Sequence, residues 1–325
     1  MRKVTRKLNY GELFVDSYSF FKDESEIGFR VFYQSNVKPT NAAIFFINGR
    51  WQNSLLWAKD NPQRDLRIYF AMRGYIVCSM DYRTSFLNRN EVSICKDWDT
   101  GIFLSDIEYC INLFSEEKQI DQLFIAGYSM GAALGYMLPY HKFDFKVNGF
   151  ISLDGGNKHH KRLQEKNINE EIHKFELLHN GIILNPSHDK RFRRHAIQKL
   201  SSKFSNSFFE KTFDDDLIRY LLIENSNWPA RQVAEMNSIA DYDSHPVLMY
   251  DQNTRAMTLP IYCVAAVDKM EEIELHRGVV SARYTSSKEI SILALEKWSH
   301  TEVVASEKSI NEVWGPLEKW IEMHS

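Results

Sequence analysis

Cysteine is scarce in this sequence, and its distribution bears on where the protein works. The chain of 325 residues has four cysteines, and no two of them form a C-x-x-C pair. Cys78 and Cys263 lie inside apolar runs that are typical of buried strands. Disulfide frameworks belong to oxidising compartments and pair their cysteines. The sequence therefore predicts buried free thiols and a reducing compartment.

Long apolar runs and a strong charge of one sign are also lacking. No stretch approaches the 18 or more apolar residues of a membrane-spanning helix, and residues 1–7 are followed by polar sequence where a secretory signal needs an apolar run. The formal net charge of −3 is too small for a typical nucleic-acid-binding protein. We therefore predict a soluble, cytoplasmic protein with no membrane span and no nucleic-acid partner. Nothing in the sequence fixes an oligomeric state.

Strand and helix patterns alternate through the first half of the chain. Residues 9–34 alternate polar and apolar side chains, which predicts two antiparallel edge strands. A continuous apolar run typical of a strand buried on both faces follows at 42–47, further strand patterns occur at 75–80, 123–126 and 147–153, and helical patterns occur at 61–73 and 100–117. The alternation predicts an α/β protein, a mostly parallel sheet of about eight strands with helices on both faces.

The alternation stops at Asn157. Residues 157–257 show helical patches and no convincing strand pair, whereas strand patterns return at 259–267 and 290–295. Because the sheet resumes, we predict one core made of residues 1–156 and 258–325, with 157–257 as a mainly helical cap inserted into it. A separate second domain is the alternative interpretation.

One motif organises the chain. Gly127-Tyr128-Ser129-Met130-Gly131 has the spacing G-x-S-x-G, follows the strand at 123–126 and precedes a helical pattern. A serine on a sharp turn between strand and helix has an exposed hydroxyl, and glycines at both ends of the motif avoid collisions with neighbouring elements. A glycine-containing helix start with a buried serine is the alternative.

This motif resembles the nucleophile elbow of the α/β-hydrolase superfamily. The resemblance implies a Ser, acid, His triad in that chain order. Ser129 would be the nucleophile, Asp268 at the end of the returning strand the acid, and His300 in the loop after the last strand the base. Asp154, which also ends a strand, is the alternative acid. Asp268 could instead cap a helix, and His300 is one of eleven histidines.

The resemblance also implies an oxyanion hole. Asn48-Gly49-Arg50 follows the strand at 42–47, where superfamily members commonly have His-Gly, so Asn48 departs from the pattern. The donors are main-chain groups, and by resemblance they would be the N–H groups of Arg50 and Met130. A simple Asn-Gly turn is the alternative. We also consider three aromatic residues as candidate substrate-binding residues, namely Trp51, Tyr128 and Trp228.

A serine nucleophile implies acyl transfer through an acyl-enzyme. An aspartate at this position would imply epoxide or haloalkane chemistry. The predicted function is a serine hydrolase that cleaves a carboxylic ester of a small or medium-sized substrate, without a metal or other cofactor. Amide or peptide hydrolysis and biosynthetic acyl transfer on the same triad are alternatives, and so is a non-catalytic receptor or scaffold. His159-His160 lacks the spacing of a zinc site.

The beginning of the predicted cap is rich in basic residues. Residues 158–203 contain eleven Lys and Arg but only five Asp and Glu. Such a surplus can steer an anionic substrate toward a cleft below the cap. A solvated helical face explains the same composition and is the favoured interpretation of this stretch by itself.

Overall fold

A nine-stranded sheet forms the centre of the protein. The structure is a computed structural model and describes residues 1–8, 12–38, 40, 42–50, 52–54, 64–86, 98–158, 178–179, 182–183, 228–229, 232 and 248–325. The strands of the large sheet are β1 (Arg2–Lys7), β2 (Leu13–Lys22), β3 (Ser25–Gln34), β4 (Ala42–Ile47), β5 (Ile76–Asp81), β6 (Gln122–Tyr128), β7 (Val147–Leu153), β11 (Ile261–Val267) and β12 (Ile290–Glu296). Their order across the sheet is β1-β2-β3-β5-β4-β6-β7-β11-β12.

The sheet is antiparallel at one edge and parallel elsewhere. β1, β2 and β3 pair antiparallel with one another, and β3 pairs antiparallel with β5. All pairs from β5 through β12 are parallel. The predicted α/β class is therefore confirmed. The additional edge strand β1 was not predicted from the sequence, because its charged side chains lack the alternation of a half-buried strand.

Helices follow the parallel strands. In the described ranges they are α1 (Leu66–Ala71), α2 (Thr100–Lys118), α3 (Met130–Tyr136), α4 (Leu248–Ala256), α5 (Arg277–Tyr284) and α6 (Gly315–Met323). Tighter 3₁₀ turns span Arg83–Phe86, Tyr140–Lys142 and Met270–Leu275, and a π-turn spans Ile310–Trp314. Each parallel connection needs such a crossover, and the crossovers cover the sheet.

Hydrophobic packing lies on both faces of the sheet, as β4 illustrates. Phe45 belongs to a cluster that also contains Phe114 of α2, whereas Phe46 belongs to a second cluster with Trp314 and Trp320. Successive strand side chains point to opposite faces, so a strand with helices on both sides is apolar throughout. Each fully buried phenylalanine stabilises the fold by about 1.5–3 kcal/mol. The predicted helices on both faces are confirmed.

The parallel strands deliver the candidate functional residues to one edge. Strands that run in the same direction end at the same side of the sheet. Arg50 follows β4, Ser129 follows β6, Asp154 follows β7, Asp268 follows β11, and His300 comes in the loop after β12. A site can therefore form above the carboxyl ends of these strands.

Most of the predicted cap, residues 157–257, lies outside the described residues. Its described part contains α4 and a small antiparallel sheet of β8 (Leu178–His179), β9 (Ile182–Ile183) and β10 (Trp228–Pro229). The sequence predicted no strand pair here, because two-residue strands are too short to show alternation. β11 lies beside β7 in the large sheet, so this segment is an excursion between neighbouring strands. The domain boundaries stay predictions.

Cysteine burial agrees with the sequence. Cys78, Cys110 and Cys263 are free and buried, and burial raises the pKa of the Cys263 thiol to about 12. Cys95 lies outside the described residues. Within the described ranges, no helix is both long and apolar enough to cross a membrane.

Candidate active site

Ser129 stands on a strained turn between β6 and α3. Its backbone has φ +55° and ψ −117°, outside the regions that L-residues ordinarily occupy. A Cβ atom on Gly127 would lie 2.5 Å from the Ala132 Cα, and one on Gly131 would lie 2.1 Å from the Ile47 carbonyl oxygen. The predicted need for glycine at both positions is confirmed, because neither backbone leaves room for a side chain.

Asp154 lies on a second strained turn, packed against the first. Its φ is +50°, and the segment is joined to the elbow by a hydrogen bond of 3.0 Å from the Ser129 N–H to the Leu153 carbonyl oxygen. A Cβ on Gly155 would lie 2.0 Å from the Ser129 carbonyl oxygen. The glycine therefore permits the turn that carries Asp154 to lie directly against the serine.

His300 is bound to Asp154. The His300 Nδ1 atom lies 2.5 Å from the Asp154 Oδ2 atom, a charge-assisted contact in which the imidazole donates. The Asp154 side chain is 7% exposed, whereas that of His300 is 35% exposed. The imidazole thus joins a buried carboxylate to the accessible side of the site, with its Nε2 atom on the opposite side of the ring from Asp154.

The structure joins His300 to the alternative acid, Asp154, and does not bring it together with Asp268. Asp268 is exposed, one residue after the end of β11. Among the described residues, no hydrogen bond or ion pair connects its carboxylate with His300. The left-handed turn tucks Asp154 back against the strand ends, where Ala266 donates its N–H to Oδ1 at 2.7 Å. Chain order and strand ends alone did not distinguish the two carboxylates.

The loop that carries His300 is closed by reciprocal hydrogen bonds. The Ser299 N–H donates to Glu302 Oε2 at 2.9 Å, and the Glu302 N–H donates to Ser299 Oγ at 3.3 Å. This capping-box arrangement fixes the residues on both sides of the histidine. Glu302 is buried, and burial raises the pKa of its carboxyl.

Asp154 remains ionised despite its burial. Burial alone would raise the pKa of a carboxyl group, since it removes water from the charged form. Hydrogen bonds from His276 and His300 outweigh that effect and hold the pKa of Asp154 well below its ordinary value. The site thus contains a fixed negative charge that can stabilise a protonated imidazole.

His276 is a second histidine at this carboxylate, and it was not among the site residues predicted from the sequence. Its Nε2 atom lies 2.9 Å from Asp154 Oδ1. The sequence of residues 270–284 predicts one continuous helix, in which His276 would be an interior residue. The structure instead divides this segment into the 3₁₀ turn and α5, with His276 in extended backbone between them. The only local signal was a polar residue before a glycine-containing helix start.

The predicted oxyanion donors follow adjacent strands, β4 and β6. Ile47 pairs with Gly127 in the sheet, so Arg50 and Met130 each come three residues beyond paired positions of β4 and β6. Met130 is the first residue of α3, where N–H groups have no carbonyl partner one turn earlier. Asn48 is fully buried, and its amide donates to the Met80 carbonyl oxygen at 2.6 Å. The residue that replaces the usual histidine is therefore a structural tie between β4 and β5.

The three aromatic candidates for substrate binding have different positions. Tyr128 is 1% exposed and packs on His300, so burial removes it from contact with a substrate. Trp228 is fully buried, with its ring stacked on Phe103 at 4.9 Å between centroids. Neither has the exposed face that substrate binding requires. Trp51 lies outside the described residues.

Comparison with known proteins gives structural matches only. No family model matches the sequence, and no curated protein matches it at a significant level. A protein of Sulfolobus solfataricus that is provisionally named a lipase superposes with a TM-score of 0.69 at 17% identity, over 100% of this chain and 99% of that one. A soluble variant of monoglyceride lipase from Saccharomyces cerevisiae gives 0.61 at 15% identity, over 95% of each chain.

A third match shows how varied the chemistry of this architecture is. The epoxide hydrolase CorEH superposes with a TM-score of 0.57 at 12% identity, over 95% of this chain and 99% of that one. Identities this low establish the fold and leave the reaction to be argued from the site. The strand order, the elbow after β6 and these superpositions agree on one conclusion: this chain has the α/β-hydrolase fold.

Proposed function

We propose that the protein is a serine hydrolase that cleaves a carboxylic ester, with Ser129, His300 and Asp154 as its triad. The observation that carries the proposal is the His300–Asp154 hydrogen bond beside the strained turn of Ser129. A buried carboxylate that fixes the imidazole tautomer and stabilises its protonated form is what a serine needs to act as a nucleophile. Asp154 replaces Asp268 in this role, because Asp154 is the carboxylate bound to the histidine among the residues that the structure describes.

In the proposed reaction, His300 Nε2 accepts the Ser129 proton while the serine Oγ attacks the ester carbon. The carbonyl π electrons move to oxygen, and the resulting oxyanion is bound by the N–H groups of Arg50 and Met130. The bond to the alcohol oxygen then breaks, and His300 protonates that leaving group. Water, deprotonated by His300, attacks the acyl-enzyme, releases the acid and regenerates Ser129. The reaction requires no metal or other cofactor.

Ser129 favours this chemistry over that of the epoxide hydrolase. An aspartate nucleophile at the elbow would imply epoxide opening, whereas this chain has serine there. One of the structural matches is a monoglyceride lipase, and that name indicates an ester substrate. An ester is therefore the first substrate class to test. Amide hydrolysis and acyl transfer would use the same acyl-enzyme and are outcomes of the test.

Hydrolysis of chromogenic substrates tests the proposal. Purified protein should release 4-nitrophenol from short-chain 4-nitrophenyl esters faster than it cleaves matched anilides or thioesters, and Ser129→Ala should abolish the release. Faster cleavage of anilides or thioesters would reassign the acyl substrate. Equal rates for wild type and Ser129→Ala, or no reaction by the wild type, would contradict a serine hydrolase.

We also propose that the substrate carries an anionic group, on the evidence of Arg277. This residue begins α5, and its Nε atom is buried without a hydrogen-bond partner. Within the described part of the chain, no carboxylate forms an ion pair with it. Burial and the nearby positive charge of Arg50 lower the pKa of Arg277 to about 10, so the group is still protonated at neutral pH. Arg277 as a whole is half-buried, and a cation held partly out of water is costly unless it meets an anion.

The position of Arg277 in the fold places its positive charge near the proposed catalytic residues. Arg50 follows β4 and Arg277 follows β11, and β6 and β7 lie between those strands in the sheet. Two side chains that approach each other from these positions must span the ends of β6 and β7, which carry Ser129 and Asp154. A carboxylate near the scissile bond would meet Arg277 there. The basic stretch 158–203 could add to the attraction but lies almost entirely outside the described residues.

Two esters of similar size distinguish a preference for anionic substrates from ester hydrolysis itself. The 4-nitrophenyl monoester of succinic acid should have a higher kcat/KM than 4-nitrophenyl pentanoate, and Arg277→Met should reverse the order while Arg277→Lys largely keeps it. The succinyl preference should also weaken as salt rises, because screening shortens the reach of charges. Hydrolysis of both esters with no charge preference would leave the serine hydrolase intact and contradict the anionic substrate.

A further inference from the structure

Asp154 lies between two histidines. Its Oδ2 atom accepts the hydrogen bond of His300, while Oδ1 lies 2.9 Å from His276 Nε2 and 2.7 Å from the Ala266 nitrogen. His276 reaches the carboxylate from the start of α5 and is itself largely buried, with 15% of its side chain exposed. The proposed triad accounts for His300 and Asp154 but leaves this second imidazole without a role.

The proton on His276 can be located from its neighbours. The Gly278 N–H donates to His276 Nδ1 at 3.2 Å, as the N-cap contact of α5. Nδ1 therefore presents a lone pair, and the proton of the neutral ring belongs on Nε2. That N–H group faces Asp154 and donates to it. The helix start thus selects the tautomer that can bind the carboxylate without bringing a positive charge to it.

The two donors to Oδ1 fix the orientation of the carboxylate. With 7% of its side chain exposed, Asp154 has little access to water that could replace a missing donor. The N–H groups of Ala266 and His276 hold Oδ1, which leaves Oδ2 directed at His300. Outer donors of this kind orient the groups that act directly on a substrate.

We propose that His276 is a positioning residue, which holds Asp154 in the orientation that its hydrogen bond with His300 requires. The inference rests on the proposed triad. Loss of the Nε2 donor would leave Oδ1 with one of its two donors and allow the carboxylate to rotate away from His300. A hydrogen bond to a charged group of this kind is typically worth enough to change kcat on the order of 10- to 100-fold.

Two substitutions separate this role from helix capping. Asn at position 276 places an acceptor where Nδ1 lies, so His276→Asn keeps the cap of α5 but is too short to reach Asp154. Gln is longer, so His276→Gln can place its amide N–H near the position of Nε2 and restore the donor, at the expense of the cap. A purely structural role predicts that Gln is the more damaging change. A positioning role predicts the opposite order for catalysis.

The experiment measures the rate at which a fluorophosphonate labels the nucleophile, together with Tm and 4-nitrophenyl ester kinetics. We expect His276→Asn to lower the labelling rate and kcat by 10- to 100-fold with little change in KM or Tm. His276→Gln should recover both rates to within a few-fold of wild type despite a lower Tm. A downfield proton resonance from His300 Nδ1 should weaken or shift in the Asn variant and persist in the Gln variant.

The outcomes distinguish this inference from the function on which it rests. Absence of labelling in the wild type would overturn the serine hydrolase itself. If the wild type is labelled normally but His276→Asn and His276→Gln react at equal rates, only the role of His276 is overturned. The same holds if the labelling rates of the two variants fall in the order of their Tm values rather than with the loss of the Nε2 donor.

Discussion

Tyr128 holds His300 by two contacts. Their rings are stacked with centroids 4.7 Å apart and an angle of 26° between the planes, and the tyrosine hydroxyl donates to the His300 carbonyl oxygen at 3.1 Å. Tyr128 is also the last residue of β6, directly before the proposed nucleophile. The strand that presents Ser129 therefore also supports the face of the proposed base, and the two groups are positioned by one rigid element.

Substitution of Tyr128 separates these contacts. Tyr128→Phe keeps the ring and loses one hydrogen bond, so kcat should fall only a few-fold, in line with a contribution of about 1 kcal/mol. Tyr128→Leu removes the stacking as well and should lower kcat by on the order of ten-fold or more. Ester kinetics and Tm measure the effects.

Tyr69→Phe is a matched control for that series. Its hydroxyl also donates from a buried ring, to Glu318 Oε2 of α6 at 2.8 Å, and its ring packs against Trp314 rather than stacking on a site histidine. This variant should lose a similar amount of stability with unchanged kcat. If Tyr128→Leu keeps wild-type kcat, the support that we ascribe to Tyr128 is refuted.

Gly131→Ala tests the close packing of the elbow. The added methyl group would lie 2.1 Å from the Ile47 carbonyl oxygen, so α3 or β4 must shift. We expect a loss of about 1–3 kcal/mol or more in the free energy of unfolding, seen as a lower Tm, and loss of activity because Ser129 moves with the helix. Gly315→Ala, where the nearest atom would be 3.3 Å away, serves as the milder control. Equal, small effects of both changes would contradict the close approach.

The pH dependence of stability tests the state of Asp154. Burial opposes ionisation, but the two histidine hydrogen bonds lower the pKa of Asp154 in the folded state below its unfolded value. The stabilisation by this group is thus present above the unfolded pKa of about 3.9 and is lost as pH falls toward the folded pKa. The stability difference between wild type and Asp154→Asn should therefore shrink below about pH 4.

Urea unfolding between pH 3 and pH 7 measures this difference, since carboxylates that both proteins share cancel. Asp268→Asn is the matched control, because Asp268 is exposed and has no partner in the described structure comparable to the two histidines. Because Asp268 contacts neither histidine in the described structure, a pH-dependent difference seen with Asp154→Asn and not with this control belongs to the histidine-bound carboxylate. A difference for Asp154→Asn that stays constant or grows toward pH 3 would contradict an ionised, histidine-bound carboxylate.

Local sequence patterns predicted the central strands and the turn that carries Ser129. Strands buried on both faces are mostly apolar, so β4, β6 and β7 could be located from short apolar segments of the sequence. The elbow could be predicted because a turn between strand and helix with crowded flanks requires glycine. These features are determined by residues that are adjacent in the sequence, so they can be predicted from one sequence.

The arrangement of the site depends on contacts between residues distant in the chain, which local sequence patterns do not reveal. Asp154 and Asp268 both end strands, and the choice between them depends on which side chain reaches a histidine much farther along the chain. His276 was missed because its role arises from a break in a helical pattern. Tyr128 and Trp228 were considered for substrate binding because aromatic character alone does not reveal burial.

Fluorophosphonate labelling tests the central claim most directly, since it requires no knowledge of the substrate. The label should attach to one peptide, the one containing Ser129, and Ser129→Ala should prevent it. Asp154→Asn should slow the labelling, by up to on the order of 10⁴-fold as for loss of a triad acid, while Asp268→Asn should react at nearly the wild-type rate. Labelling that persists in Ser129→Ala, or that is slowed by Asp268→Asn and not by Asp154→Asn, would contradict the Ser129–His300–Asp154 triad.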